Sequence, residues 1–121
     1  MPRPSFIAIV DDDPDVRASL ASLMRSAGLA ARCFEGAREL LTDQDARASA
    51  CVVTDLHMSD MSGLELQSEL ARRGWPQPVI FMTAFPTDTT RTQALAAGAT
   101  AFLTKPIDPD ALLDAIKSAM H

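Results

Sequence analysis

Short apolar runs alternate with helical patterns five times along this chain, and that alternation limits the fold more than any other feature. Phe6-Ile7-Ala8-Ile9-Val10 is unbroken and stops at Asp11, Asp12 and Asp13. A run of this kind reads as a strand buried on both faces, as in a parallel sheet. Asp13-Pro14 then opens a helix, with Asp at the N-cap and Pro at the first helical position. Val16, Leu20, Leu23, Met24 and Ala27 give that helix one apolar face, and Gly28 closes it. Residues 29–34 read as a weak strand interrupted by Arg32, and 36–41 as a short helix. Residues 50–55 form a buried strand ending at Asp55, and 62–73 a helix opened by the capping-box spacing of Ser62 and Glu65. Gly74-Trp75-Pro76 breaks it. Residues 79–82 are a strand ending at Thr83, 87–97 a helix closed by Gly98, and 101–103 a strand just before Lys105-Pro106. Asp108-Pro109 repeats the cap signature, and Leu112, Ile116 and Ala119 line the last helix.

Strand–helix units joined by short links predict a parallel sheet with right-handed crossovers and helices on both faces. A chain of 121 residues accommodates an open, doubly wound (βα)5 sheet and not an eight-unit barrel. We expect one domain over residues 1–121, with its core at about 5–119 and Met1 to Ser5 as a frayed leader. The 47% hydrophobic and 22% charged content excludes a disordered chain. Eleven Lys and Arg against sixteen Asp and Glu give a net charge of −5, so no basic footprint for nucleic acid is expected. The run at 6–10 is too short for a signal-peptide core or for a membrane span of ~20 residues. A cytoplasmic protein without membrane contact is expected, with Cys33 and Cys51 as free thiols. His57 and His121 lie at no zinc-ligand spacing to them.

The chemistry emerges when strand ends are compared, because open α/β sheets bind ligands beyond the carboxyl ends of their strands. Strand one ends in Asp11 and Asp12, strand three in Asp55, strand four in Thr83, and strand five at Lys105. Three carboxylates packed together repel one another, and a small hard divalent cation with oxygen ligands relieves that; Mg²⁺ fits best, with Mn²⁺ as a substitute. A lysine and a hydroxyl beside such a cluster suit the equatorial oxygens of a phosphoryl group. A carboxylate can itself be the nucleophile. Taken singly, each residue has a plainer reading: Asp13 as a cap, Asp11 and Asp12 as a solvated loop, Thr83 as a strand-end hydroxyl, Lys105 as a solvated charge. Asp55 differs, since it ends a buried run where an unpaired charge is costly.

Ile9-Val10-Asp11-Asp12-Asp13, Val53-Thr54-Asp55-Leu56-His57-Met58, Asp60-Met61-Ser62-Gly63, Thr83-Ala84, Ala97-Gly98-Ala99 and Lys105-Pro106 together resemble the response-regulator receiver domain of two-component signalling. The resemblance covers essentially the whole chain. The segments from Met61 to Leu66 and from Pro78 to Thr83 look most similar to the FixJ-type branch. The resemblance implies a CheY-like, flavodoxin-like sheet in the order 2-1-3-4-5. It implies that Asp55 accepts a phosphoryl group, that Asp12 ligates Mg²⁺ directly and Asp11 through water, and that the His57 backbone carbonyl is a further ligand. Thr83 and the Ala84 backbone amide would hold phosphoryl oxygens, and Lys105 would pair with another. Thr83 and Phe102 would be switch residues, and Lys105-Pro106 a cis peptide. The implied partners are a sensor histidine kinase or histidine phosphotransfer protein upstream, and a downstream partner on the face formed by helix four, strand five and helix five. A homodimer formed on phosphorylation is also implied. The chain would be a phosphorelay switch rather than an enzyme, limited to its own phosphorylation and slow self-dephosphorylation.

Two departures from the pattern stand out. Ser59 replaces a proline that would stiffen the loop after strand three. Phe85-Pro86 follows Thr83-Ala84, where small or polar residues are usual. His57 and Phe85 are expected at the site rim, flanking the path of a hydrolytic water; the plainer reading of Phe85 is packing at the start of helix four. Two other functions share parts of this pattern. An aspartyl-phosphate phosphohydrolase would want a second aspartate where His57 stands. A flavodoxin-like FMN protein would want a phosphate cradle where Asp11-Asp12-Asp13-Pro14 would repel it.

Overall fold

The apolar runs fold as strands and the periodic segments after them as helices. The computed structural model describes residues 6–120; the expected leader at Met1 to Ser5 lies outside them, as does His121. The elements are β1 (Phe6–Val10), α1 (Pro14–Ser26), β2 (Ala30–Phe34), α2 (Ala37–Thr42), β3 (Cys51–Asp55), α3 (Gly63–Arg72), β4 (Val79–Thr83), α4 (Asp88–Ala96), β5 (Ala101–Thr104) and α5 (Pro109–Ala119). All pairings are parallel, in the order β2-β1-β3-β4-β5. The expected (βα)5 sheet is therefore the observed one.

The helix starts follow from their caps. The Asp13 carboxylate accepts the N–H of Asp15 with Pro14 at the first position, and Asp108 does the same for Asp110 ahead of Pro109. Ser62 and Glu65 form the reciprocal capping box at α3. Thr87 and Thr90 form a similar pair at α4.

Alternate residues of each central strand enter opposite cores. Ala8, Val10, Val52 and Phe81 pack with Leu40, Leu66 and Leu70 of α2 and α3. Ile7, Ile9, Val53, Ile80 and Met82 pack with Leu20 and Met24 of α1 and Leu112 and Ile116 of α5. Each fully buried Leu or Ile contributes about 1.5–3 kcal/mol, so these layers dominate the stability of the sheet. No helix among the described residues is long and apolar enough to cross a membrane.

Two sequence expectations need correcting. Ala27, assigned to the apolar face of α1, is exposed, because the helix ends at Ser26 and its buried contacts are made by Leu20 and Met24. Arg32 does not interrupt β2. Its guanidinium lies 5.3 Å from the Phe6 ring centroid and 5.5 Å from that of Phe34, and pairs with Asp43, so the charge is satisfied on an edge strand. The link between α2 and β3 holds a 3₁₀ turn, Ala46–Ala48, that no periodicity announces because it is three residues long. Buried Gln77 fastens that turn by donating to the carbonyls of Ala46 and Arg47.

Candidate functional site

Strand register sets the site. Val10 pairs with Phe34 and Thr54, Asp55 with Met82, and Thr83 with Thr104, so the carboxyl ends of all five strands reach one edge. At that edge Lys105 Nζ donates to Asp11 Oδ2 at 2.8 Å and stands 3.4 Å from Asp55 Oδ2. Asp11 and Asp55 are buried and Asp12 is exposed. One carboxylate oxygen from each of the three can be chosen so that all lie within 4.8 Å of one another.

The neighbouring backbone holds these groups in place. Asp11 Oδ1 accepts the N–H of Asp13 at 2.9 Å, and the Asp11 carbonyl accepts a hydrogen bond from Arg17 Nη1 at 2.8 Å. Asp55 Oδ1 accepts the N–H of His57 at 3.3 Å. Gly63, the first residue of α3, lies directly behind Asp55. A Cβ there would come within 2.7 Å of the Asp55 carbonyl oxygen and 2.9 Å of Phe81 Cε1, so only glycine lets α3 approach the acceptor strand this closely.

Burial, first, raises the Asp55 carboxyl above its ordinary 3.8, and the charge of Asp11 adds to this; Lys105 and the His57 N–H offset it only in part. Burial pulls Lys105 down, but its hydrogen bond to Asp11 and the charges of Asp55 and Asp11 outweigh this and raise it, so it stays cationic. One ammonium faces three carboxylates. The donor set is all oxygen, clustered and partly open to solvent through Asp12, which fits a hard divalent cation.

Above the cluster is a cleft of about 240 Å³, walled by Asp13 and Ala84 as well as the acidic residues and Lys105. His57 and Phe85 form its rim, ring centroids 6.5 Å apart in an edge-on arrangement. Phe85 is 73% exposed, which overturns the reading of it as packing for α4. A neighbouring groove of about 330 Å³ between α1 and the loop after β5 is more apolar and shares only Lys105 with the cluster; the converging polar groups belong to the smaller cleft.

Thr83 and Phe102 stand apart from the cluster. Thr83 is buried, and its hydroxyl accepts the N–H of Phe85 at 3.0 Å instead of lining the cleft. Phe102 is half-buried on β5 with the Arg91 guanidinium 5.1 Å from its ring centroid. The Lys105-Pro106 peptide is cis. Sequence reasoning missed Arg17 and Arg91. One turn of α1 carries Arg17 back to the Asp11 carbonyl, and helical spacing from Asp13 could have flagged it. The Arg91 contact crosses between α4 and β5 and leaves no local signal.

Residues 7–117 match the response regulator receiver domain family. The chain belongs to that family. The family is that of the receiver domains of two-component response regulators, consistent with a phosphorylation-dependent switch; the phosphohydrolase alternative is not favoured. Response regulator protein TodT of Pseudomonas putida is 40% identical over 118 residues, covering 98% of this chain and 52% of TodT. Transcriptional regulatory protein FixJ of Azorhizobium caulinodans is 38% identical over 120 residues, covering 99% of this chain and 57% of FixJ. This receiver thus spans about half the length of the curated relatives it matches. The solved structure of response regulator StyR superposes with a TM-score of 0.89 at 37% identity, covering 98% of this receiver and 60% of StyR. That of FixJ-N superposes with a TM-score of 0.87 at 33% identity, covering 98% and 95%.

Proposed function

We propose that this receiver accepts a phosphoryl group on Asp55 from the histidine of a cytoplasmic sensor kinase or phosphotransfer protein. The observation that carries this is the meeting of Lys105 with Asp11 at 2.8 Å and Asp55 at 3.4 Å beside a third carboxylate. An Asp55 oxygen forms the new bond to phosphorus as the bond from phosphorus to the donor nitrogen breaks, and that nitrogen keeps the electron pair. Lys105 neutralises charge on a phosphoryl oxygen, and the Ala84 backbone amide donates to another. Asp11, Asp12, Asp55 and the His57 carbonyl would hold Mg²⁺, or Mn²⁺ in its place, which when bound offsets phosphoryl charge. The chain turns over no separate substrate; it catalyses only its own phosphorylation and slow dephosphorylation.

The switch follows from what Thr83 does without a phosphoryl group. Its hydroxyl oxygen accepts the Phe85 N–H, which leaves the O–H free to donate. A phosphoryl oxygen accepts that O–H, draws Thr83 toward Asp55 and leaves room that Phe102 fills. The move alters the face made by α4, β5 and α5. Only Ala94 of α4 is buried, and Leu95 is exposed, so this helix is held weakly enough to shift. We assign that face to the downstream partner and to a homodimer formed on phosphorylation.

Intact-mass measurement after acetyl phosphate and Mg²⁺ tests the assignment. Wild type should gain one phosphoryl group, and Asp55→Asn or added EDTA should prevent it. An adduct that survives both would overturn the reading.

A further inference from the structure

The loop between β3 and α3 carries the His57 carbonyl, and its ends are well fixed. The Leu56 carbonyl accepts the N–H of Gly63 at 2.9 Å, and the Ser62–Glu65 capping box secures the far end. Its middle has no such tie within the loop. The Ser59 N–H makes no hydrogen bond among the described residues, and serine leaves the backbone free to turn.

Helix α2 has the complementary deficit. Its N-cap is Gly36, which has no side chain to satisfy the exposed N–H groups of the first turn. Asp60 takes that place from the loop. Its Oδ2 accepts the N–H of Arg38 at 3.0 Å. Gly36 is shaped to the contact: a Cβ there would fall 2.7 Å from Asp60 Oδ2 and 2.9 Å from its Cγ. The missing cap on one element and the untied middle of the other are thus met by a single side chain.

We infer that Asp60 is a positioning residue for the cation site: by capping α2 it holds the loop, and with it the His57 carbonyl, in its binding conformation. This rests on the reading that His57 supplies a carbonyl ligand. The stiffness that a proline at position 59 would provide through a fixed φ comes instead from a contact with another element.

Calorimetric titration with Mg²⁺ tests the inference on five proteins: wild type, Asp60→Ala, Asp60→Asn, Asp60→Ala combined with Ser59→Pro, and Asp108→Ala. Asp60→Ala should bind about 10-fold more weakly, the low end for loss of a group that orients a ligand. Asp60→Asn should recover most of the affinity, because asparagine caps as well as aspartate. Ser59→Pro should restore affinity to Asp60→Ala without restoring the melting temperature lost with the α2 cap. Asp108→Ala removes the cap of α5, so it should melt lower yet bind as wild type does. Equal affinity in Asp60→Ala and wild type would overturn the inference, as would an equal loss in Asp108→Ala. Wild type that binds no Mg²⁺ would overturn the functional reading and this one with it; bound Mg²⁺ with an unaffected Asp60→Ala overturns this one alone.

Discussion

Phe85 is an aromatic side chain left in solvent at the mouth of an acidic cleft, edge-on to His57. It offers no hydrogen bond to orient a water and occupies the approach to Asp55. His57 can orient a water, but attack requires room before orientation matters. Phe85→Ala and Phe85→Glu should therefore shorten the lifetime of phospho-Asp55, by up to ~10²-fold, the lower range of general-base assistance. His57→Ala should change it less. Decay followed by intact mass after removal of the phosphodonor checks this, and equal lifetimes in wild type and both Phe85 variants would refute it. The cysteines give a second expectation at this scale. Cys51 is buried, and that burial pushes its thiol up to about 12. Cys33 is exposed on the edge strand; partial burial raises its thiol as well, with Arg17 opposing. Near pH 8 a thiol reagent should label Cys33 in the native protein and Cys51 only on unfolding, because the thiolate is the reactive form. Rapid labelling of both in the native state would contradict the packing of β3.

Edge strand β2 is where local sequence and tertiary structure disagree. Its alternation is poor and it carries Arg32, yet it pairs with β1 along its whole length. Arg32 compensates through two aromatic rings, the carboxylate of Asp43 and, at 3.8 Å, that of Asp45. Partly exposed contacts of these kinds are each worth up to about 1 kcal/mol, so Arg32→Ala should destabilise the domain by about 1–2 kcal/mol. The hydrogen bond from Arg32 holds the Asp43 carboxyl below its ordinary value. A lowered folded value contributes stability that is present above the ordinary carboxylate range and lost as pH falls through it. Arg32→Ala should therefore flatten the acid limb of the stability curve as well as lower its plateau, which urea titrations at several pH values would show; a uniform drop would mean that the Asp43 pair is not involved. The strands whose sequence reads plainly are those buried on both faces, β1, β3 and β4, and the helices that read plainly carry their own caps. Asp11, Asp12, Asp55 and Lys105 were legible because strand ends share an edge, which is a rule of topology. Asp60 on α2, Arg17 on the Asp11 carbonyl and Arg91 over Phe102 were not, because each contact joins groups whose pairing is fixed only by the fold. The resemblance placed Phe85 at the rim; its exposure excludes the plainer reading, packing at the start of α4, because the short link into that helix turns the ring outward.

At the scale of the whole molecule, the ends of β1 and β3 bring more negative charge to one edge than Lys105 balances. The consequence is a coupling of stability to pH and to cations. Burial and the Asp11 charge raise the Asp55 carboxyl, so the native state binds that proton more tightly than the unfolded chain. The contribution of this group is most favourable below its ordinary 3.8 and declines as pH rises through the raised value. At neutral pH the native protein bears the full repulsion, and a divalent cation that binds only the assembled cluster should relieve it. Mg²⁺ at ten times its dissociation constant stabilises by about 1.4 kcal/mol through mass action, a rise in melting temperature of roughly 5–6 °C for a domain of this size. The rise should shrink at acid pH, where protons compete for Asp55. Asp12→Ala should lose most of the rise, while its cation-free form melts no lower than wild type because one repelling charge is gone. Scanning calorimetry at both pH values, with Mg²⁺ and with EDTA, measures all of this. An equal rise in Asp12→Ala, or one that does not change with pH, would show that the cation acts elsewhere than at the cluster formed by Asp11, Asp12 and Asp55.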